Sequence, residues 1–329
     1  MSNYHQMQVI FRRAGLAVAA AMLMIVASLV LLQLNVLAGA RGKGPGCGGD
    51  LLDGNEQNGD LILLLYSPSG WETASPLATR NLQIEGGWQL KSGETCDPSA
   101  VYTDTSKFEF IGPLTRSLAT EIDSGSVLRI DPSVLTLTVK HIIFEQDGSV
   151  TQGGGISGII SNGAHILLEN VAFANGGGGT ADDGGGLFLE VRGNSRLVIA
   201  DSQFMTNTAQ NSGGGFELEV YDGSQVTINN TQVFGNIAFN GNGGGGRILM
   251  SRGMVTIAGS TFSNNLANQG CGGGLSVEGI GSGPNYLILQ NTVISNNDAI
   301  PCADDNLHVT GNVIVLDKQI FLPIIRKNS

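Results

Sequence analysis

The chain has 329 residues, of which 49 are glycine, 28 are acidic and 17 are basic, so its formal net charge is −11. A chain this acidic lacks the basic surface that displaces counterions from a nucleic acid, so nucleic-acid binding is excluded as a function class. Hydrophobic residues make up 41% of the chain, which is enough for a folded core and argues against wholesale disorder. The glycines occur in clumps without a strict period of three, so the chain is not collagen-like.

The N-terminal segment 1–40 has the organisation of an export signal. A polar stretch ends in Arg12 and Arg13, residues 14–37 carry no charge, and Ala38-Gly39-Ala40 gives the small-x-small pattern that signal peptidase accepts. The apolar run is also long enough to cross a bilayer uncleaved, so the sequence predicts either a signal peptide or a signal anchor. In both cases we expect a secreted or cell-surface protein, which contacts a membrane only through this segment if the segment stays uncleaved.

Residues 41–115 are less repetitive than the residues that follow, and we expect them to form an N-terminal cap with irregular first coils. Asp53, Asn55 and Asp60 resemble the ligands of a calcium loop, but the glycine of this stretch is misplaced for such a loop, so a plain surface turn is the alternative. Trp88 is predicted to pack within the cap, with a sugar-binding platform as the alternative. The sequence contains no nucleotide-binding loop and no zinc motif, so no cofactor other than calcium is indicated.

The segment 116–312 contains an internal repeat with a period of about 30 residues, which is in the range of solenoid proteins. One apolar column recurs once in each repeat, and a turn-type column follows it three positions later. A clump of glycines also precedes an apolar residue in successive repeats. The apolar column consists of Phe144, Phe173, Phe204, Val233, Phe262 and Ile294, and the asparagines of the turn column are Asn207, Asn236, Asn265 and Asn297.

This repeat predicts coils made of short strands. The segments before the apolar column alternate apolar and polar residues, which is the periodicity of a β-strand. Coils that stack with parallel pairing lie about 4.8 Å apart, so equivalent side chains stand above one another. We therefore expect an all-β parallel β-helix behind an N-terminal signal or anchor helix. We also expect the interior Phe204 to matter more for stability than Asn207, which would serve only turn hydrogen bonds.

The repeat resembles that of right-handed parallel β-helix proteins of the pectin-lyase-like superfamily, and its GGG[ILF] and FxxN elements are similar to those of polymorphic outer-membrane proteins. The resemblance covers roughly residues 125–312. It implies a single-stranded right-handed β-helix in a bacterial secreted or surface protein. Because many right-handed β-helices cleave polysaccharides, it also implies polysaccharide lyase or glycoside hydrolase as an alternative function. The elements that carry it are Gly184-Gly185-Gly186-Leu187 with Phe204-Met205-Thr206-Asn207, and Gly272-Gly273-Gly274-Leu275 with Phe262-Ser263-Asn264-Asn265.

The residues for such a reaction are few. A glycoside hydrolase needs carboxylates that converge on a groove, and Asp182-Asp183 lies about four coils away from the other adjacent acidic pair. Arg192 and Arg252 occupy similar positions two coils apart, as candidates for a lyase arginine, but no acidic ladder is expected beside them. We therefore predict no catalytic site and a structural, adhesive or glycan-binding role. The expected partner of a monomeric chain is a surface polysaccharide or another surface protein.

The four cysteines allow three pairings. Cys271 and Cys302 lie in the same register one repeat apart. Stacking of the coils would place their Cα atoms about 4.8 Å apart, within the range of a disulfide. Cys47 and Cys96 are then left to pair within the N-terminal cap. Residues 313–329 are predicted to form a C-terminal cap and tail.

Overall fold

The fold is an all-β solenoid. The computed structural model describes residues 39–43, 57–65, 72–73, 77–95, 108–111, 115–119, 126–146, 152–176, 182–300 and 302–318. Across these ranges the regular structure is β-strand, and no helix occurs in them. The strands stack in parallel as a right-handed β-solenoid with coils of about 29 residues. The fold class predicted from the repeat is confirmed.

Thirty-one strands make up the described part of the solenoid. The strands before the regular repeat are β1 (Gly39–Lys43), β2 (Asp60–Leu65), β3 (Glu72–Thr73), β4 (Leu77–Ala78), β5 (Leu82–Leu90), β6 (Phe108–Phe110), β7 (Thr115–Ala119) and β8 (Leu128–Ile130). The following strands are β9 (Thr136–Lys140), β10 (Ile142–Gln146), β11 (Ile156–Ile160), β12 (His165–Glu169), β13 (Ala172–Ala174), β14 (Leu187–Val191), β15 (Arg196–Ala200), β16 (Gln203–Met205), β17 (Thr208–Ala209), β18 (Phe216–Tyr221), β19 (Gln225–Asn229) and β20 (Gln232–Phe234). The last strands are β21 (Ile237–Ala238), β22 (Gly246–Ser251), β23 (Met254–Ala258), β24 (Thr261–Ser263), β25 (Leu266–Ala267), β26 (Leu275–Gly279), β27 (Asn285–Gln290), β28 (Val293–Ser295), β29 (Asp298–Ala299), β30 (Leu307–Gly311) and β31 (Val313–Lys318).

The strands form four parallel sheets, which we number I to IV. A regular coil runs through sheet I, sheet II, the short sheet IV and sheet III before it returns to sheet I one level further along. Sheet I has the order β1-β2-β5-β9-β12-β15-β19-β23-β27-β31, with β6 antiparallel to β5. Sheet II is β3-β7-β10-β13-β16-β20-β24-β28, sheet III is β4-β8-β11-β14-β18-β22-β26-β30, and sheet IV is β17-β21-β25-β29.

The apolar column lies inside the solenoid, on sheet II. Phe144 pairs with Phe173 and Phe173 pairs with Phe204, and the pairing continues through Val233, Phe262 and Ile294. All six side chains are at most 1% exposed. The rings of Phe173 and Phe204 are stacked, with centroids 4.7 Å apart and planes inclined by 9°. The structure therefore places these residues in one ladder, as their spacing in the sequence predicts.

A residue from sheet III compensates for the smaller member of this column. Val233 interrupts the row of phenylalanine rings, and the ring of Phe216 lies 5.2 Å from that of Phe204 and 6.2 Å from that of Phe262. Gly246 follows Phe216 in the register of sheet III. A Cβ atom at Gly246 would overlap the Phe216 ring, so this glycine leaves the space that the ring occupies.

The asparagine column forms a buried ladder at the turn between sheets II and IV. The Asn236 Nδ2 group donates to the Phe204 carbonyl of the previous coil at 3.0 Å and to Asn265 Oδ1 of the next coil at 2.9 Å. Asn207, Asn236 and Asn265 repeat this pattern, and Asn297 continues it. Asn306 ends the ladder, because its Oδ1 accepts from Asn297 Nδ2 at 3.1 Å.

The glycine clumps form the turns that lead into five strands of sheet III, which are β11, β14, β18, β22 and β26. Gly213 has a φ of 66°, in the left-handed region that glycine adopts without steric cost. A Cβ atom at Gly214 would overlap the carbonyl oxygen of Gly244 in the next coil. The clump is therefore required by backbone conformation and by the close approach of neighbouring coils.

The parallel stacking extends beyond the repeat at both ends. β1, β2 and β5 continue sheet I on the N-terminal side, so the region expected to be a cap contributes strands to the solenoid. At the other end β31 pairs with β27 over its whole length. Residues 313–318, the start of the predicted C-terminal cap, thus form a strand of sheet I.

Two terminal predictions concern residues outside the described ranges. The predicted signal or anchor covers residues 1–38, which are not described, and reaches Gly39 and Ala40 at the start of β1. In the ranges given above, no helix combines the length and the apolar character needed to span a bilayer. The tail at 319–329 also lies outside the described residues.

Candidate functional site on the outer face of sheet III

Charged side chains gather on the outer face of sheet III. Because side chains alternate along a strand, Glu217 and Glu219 of β18 both point away from the core, while the apolar residues between and beside them point into it. The parallel register sets Glu219 beside Glu190 of β14. It also sets Glu217 beside Arg247 of β22. Three successive coils thereby bring carboxylates and a guanidinium group together.

Arg247 connects three coils through two ion pairs. Its Nη1 lies 2.6 Å from Glu217 Oε1, and its Nη2 lies 3.2 Å from Glu278 Oε2 on the next coil. The Arg247 side chain is 21% exposed. Burial alone would lower its pKa, but the carboxylates of Glu217 and Glu278 outweigh burial and raise it. Arg247 is therefore a fixed positive charge in the middle of the cluster.

Glu217 is the least exposed member of the cluster. Its side chain is 2% exposed, and its Oε2 atom has no hydrogen-bond partner among the described residues. Burial raises the pKa of Glu217 to about 7, because the attraction of Arg247 offsets only part of the desolvation cost and the charges of Asp183 and Glu219 oppose ionisation. This carboxyl group therefore changes its protonation state near neutral pH.

Glu219 and Glu190 are half-buried and lie opposite each other on neighbouring strands. Neither carboxylate is paired with Arg247. The Tyr221 hydroxyl donates to Glu219 Oε2 at 2.9 Å, and burial together with this bond raises the pKa of Tyr221. Glu190 Oε1 lies 2.9 Å from Arg192 Nη1. Like charges directly opposite each other on neighbouring strands are destabilising, so these two carboxylates form a surface that would gain from external hydrogen-bond donors.

The catalytic candidates from the sequence occupy different places. Asp183 Oδ1 accepts a hydrogen bond from the Ser212 backbone at 3.1 Å, and its charge acts on Glu217. Asp182 is exposed beside it. Arg192 pairs with Glu190 at the edge of the cluster. Arg252 pairs with Asp222 at an exposed position on the turn after sheet III.

The sequence predicted no acidic ladder beside Arg192 and Arg252, but the structure places Arg192 at the edge of a group of carboxylates, while Arg252 pairs with Asp222. Glu217 of β18 and Glu278 of β26 flank Arg247 of β22, and Glu219 of β18 lies beside Glu190 of β14 on the same face. Pairs of adjacent acidic residues do not reveal this cluster, because a strand brings alternate residues to one face. The Glu-Leu-Glu stretch at 217–219 is the signal that could have identified the cluster, once the coils were aligned.

The calcium and aromatic candidates lie elsewhere. Asp60 is 1% exposed, and its Oδ2 accepts from the Gln57 backbone at 2.9 Å, which fits a turn. Asp53 and Asn55 lie outside the described residues. The Trp88 ring packs edge-on against Phe110, with centroids 5.6 Å apart.

Cys271 and Cys302 form a disulfide between neighbouring coils, with their Cα atoms 5.1 Å apart. This pairing agrees with the register predicted from their spacing. The predicted Cys47–Cys96 pair lies outside the described residues.

Comparison of the chain with protein-family models, with curated proteins and with solved structures finds no match in any of the three.

Proposed function

We propose that this protein is secreted or held at the cell surface, and that it binds a neutral polysaccharide chain along the outer face of sheet III. The observation that carries the proposal is the cluster of Glu190, Glu217, Glu219 and Glu278 with Arg192 and Arg247 on one sheet face. Carboxylate and guanidinium groups held in fixed positions are suitable partners for the hydroxyl groups of sugars. Export is supported by the charge-free run at 14–37 and the small-x-small motif after it.

The spacing of the sheet supports an extended ligand. Successive coils repeat at about 4.8 Å, which is close to the length of one hexose unit in an extended polysaccharide. Phe188 of β14 is in register with Glu217 of β18. Tyr221 is the last residue of β18 and lies on the same face of the strand as Glu217 and Glu219. Both rings are half-buried and add apolar contact area beside the polar groups.

The charge of the face favours a neutral ligand over an acidic one. Four carboxyl groups share the face with the two guanidinium groups of Arg192 and Arg247, and the whole chain has a net charge of −11. A polyuronate would add like charge to this face, so electrostatic repulsion opposes its binding. Neutral glycans meet no such penalty.

A second candidate function is glycoside hydrolysis, and Glu217 is the observation that favours it. A carboxyl group with a pKa of about 7 is suited to act as a general acid. Glu217 and Glu219 lie on the same strand face two residues apart, so their Cα atoms are separated by roughly 6.6 Å, and an inverting enzyme places its two carboxyl groups about 6.5–9.5 Å apart. Against this function, the Glu217 side chain is 2% exposed and bonded to Arg247, so a substrate has no access to it in this conformation. Binding is therefore the better supported function.

One experiment tests both functions. The protein and its Glu219→Ala and Glu190→Ala variants are titrated with neutral and acidic oligosaccharides, and released reducing ends are measured in the same samples. We expect neutral oligosaccharides to bind, and each variant to weaken binding about tenfold, the equivalent of one hydrogen bond to a charged group. The matched control is Glu169→Gln, an acidic residue on the outer face of sheet I that pairs with Lys140 and should leave binding unchanged.

Three results would contradict the proposal. The first is the absence of glycan binding by the folded protein, and the second is binding that neither variant weakens. The third is preferential binding of an acidic oligosaccharide. Release of reducing ends that is lost in Glu217→Gln would favour the hydrolase over the binding protein.

A further inference from the structure

We propose that Cys271, Cys302 and His308 form a binding site for a zinc-type divalent ion when the disulfide is reduced, so that the disulfide and the metal are alternative states of one site. The site lies between the last two coils of sheet III. It is separate from the acidic cluster and does not depend on glycan binding.

The three ligand atoms are already close together. The two Sγ atoms and a ring nitrogen of His308 all lie within 4.8 Å of one another. In a tetrahedral site with Zn–S of about 2.3 Å and Zn–N of about 2.0 Å, ligand atoms are about 3.5–3.8 Å apart. Small side-chain rotations therefore bring the three atoms from their present positions to that geometry once the S–S bond is gone.

Backbone hydrogen bonds also join the two coils of the site, beside the disulfide. The Cys271 backbone N–H donates to Asn242 Oδ1 at 2.8 Å, and the Gly272 N–H donates to the Asp304 carbonyl at 2.8 Å. β26 and β30 are paired along the whole of both strands. Reduction therefore leaves the two sulfur atoms facing each other across adjacent coils.

Asp304 orients the histidine. Its Oδ2 lies 2.7 Å from His308 Nδ1. A carboxylate that accepts from one ring nitrogen fixes the tautomer in which the other nitrogen carries the lone pair, as is common for metal-bound histidine. The His308 side chain is 18% exposed and the two cysteines are half-buried, so an ion and a reductant can reach them. Three protein ligands leave the fourth position for water.

The redox step balances with a dithiol reductant. The reductant transfers two electrons and two protons to the S–S bond, two thiols form, and the reductant becomes a cyclic disulfide. A divalent ion then displaces the two thiol protons and binds two thiolates and one imidazole. The oxidised protein offers no thiolate, so it does not hold the ion.

The test uses Co²⁺ and Zn²⁺ on the reduced protein. To leave only one pair of thiols, Cys47 and Cys96 are replaced by serine; should that chain not fold, the wild-type chain is compared with its Cys271→Ser/Cys302→Ser variant. We expect reduced protein to bind one Co²⁺ with thiolate-to-cobalt charge-transfer absorption and the visible bands of a four-coordinate ion, which Zn²⁺ abolishes. Oxidised protein should show neither absorption.

Variants assign the ligands. Cys302→Ser and His308→Ala should weaken Zn²⁺ binding in competition with a chromophoric chelator, and Asp304→Asn should weaken it about 10–100-fold. His165 is a half-buried histidine on sheet I, and His165→Ala is the matched control, which should leave Zn²⁺ binding unchanged.

The proposal is overturned if the reduced protein shows no thiolate-to-cobalt absorption or if the Cys302→Ser variant still binds the ion as the wild type does. Loss of the β-sheet circular dichroism on reduction would also overturn it, since the ligands would then not be held in place.

Discussion

The Asn236 side chain uses all of its hydrogen-bonding groups inside the solenoid. Its Nδ2 group donates to the Phe204 carbonyl and to Asn265 Oδ1, and its own Oδ1 accepts from the Asn207 backbone and side chain. The residue is fully buried. Because buried groups that lose their partners retain the full cost of desolvation, the ladder is sensitive to the loss of any single rung.

Replacement of Asn236 by alanine should destabilise the protein by about 2–4 kcal/mol, because several buried donors and acceptors lose their partner at once. This cost is similar to the roughly 3–5 kcal/mol expected for Phe204→Ala, whereas the sequence predicted a smaller effect for the asparagine column. Urea denaturation measures both values. The exposed Asn240→Ala is the control and should be nearly neutral; an equally neutral Asn236→Ala would contradict the ladder.

Thr206 is in a backbone conformation that suits asparagine or glycine better. Its φ is 54°, and the residues at equivalent turns are Asn175, Gly235, Asn264 and Asn296. A β-branched residue is strained in this region, so Thr206→Asn should stabilise the protein by about 1 kcal/mol. The matched control Thr227→Asn, within β19, should destabilise it. Thr206 Oγ1 also donates to Asn175 Oδ1 at 2.8 Å, and destabilisation by Thr206→Asn would show that the loss of this hydrogen bond outweighs the relief of backbone strain.

At the scale of the strands, sheet III has a buried carboxyl group that links stability to pH. The pKa of Glu217 is raised from 4.5 to about 7. Between these values the folded chain retains a proton that the unfolded chain has released, so stability falls as the pH rises through this window. The contribution of Glu217 protonation to the free energy of unfolding is fully present below pH 4.5 and is lost above a pH of about 7. Its magnitude is on the order of 3 kcal/mol.

Glu217→Gln should remove this dependence, because a neutral amide of the same shape does not titrate. The measurement is the unfolding free energy of wild type and variant between pH 4.5 and about 7. We expect the difference in stability between them to change steadily across the window. A difference that stays constant would mean that Glu217 is ionised throughout and that Arg247 dominates its environment.

Features that repeat at the same position of every coil could be predicted from the sequence. Features that depend on contacts between different positions of neighbouring coils could not. The apolar column and the four asparagines are visible because each repeats one kind of residue at a nearly constant spacing. The acidic cluster does not repeat in this way. Leu249 lies between Glu219 and Glu278 at the register position that these two residues share, and Glu217 belongs to a different register position of the same sheet. Likewise the filling of the Val233 gap by Phe216 joins two different sheets, so no single repeat position reveals it.

At the scale of the whole molecule, the disulfide joins the last two coils that the structure describes. Among the described residues, β30 is the last strand of sheet III and β31 the last strand of sheet I, so each has a neighbour on one side only, and Ile314, Val315 and Leu316 are 40–43% exposed. The bridge closes a loop of 31 residues, which corresponds to about 3–4 kcal/mol in the chain-entropy model. Terminal coils should therefore open first when the bridge is removed.

Hydrogen exchange of the Cys271→Ser/Cys302→Ser variant tests this. We expect faster exchange in β30 and β31 and unchanged exchange in β18 and β22, because the bridge holds only the neighbouring coil. Faster exchange throughout the solenoid would contradict a local role for the disulfide and would indicate that the coils unfold together.

The claim on which the rest depends is that coils of about 29 residues follow one another in parallel register. Peptide mapping without reduction tests it most directly, because the register determines which cysteines can meet. We predict a link between Cys271 and Cys302, with Cys47 joined to Cys96. A link from Cys47 to Cys271 or from Cys96 to Cys302 would contradict the coil alignment, and with it the ladders, the acidic cluster and the proposed metal site.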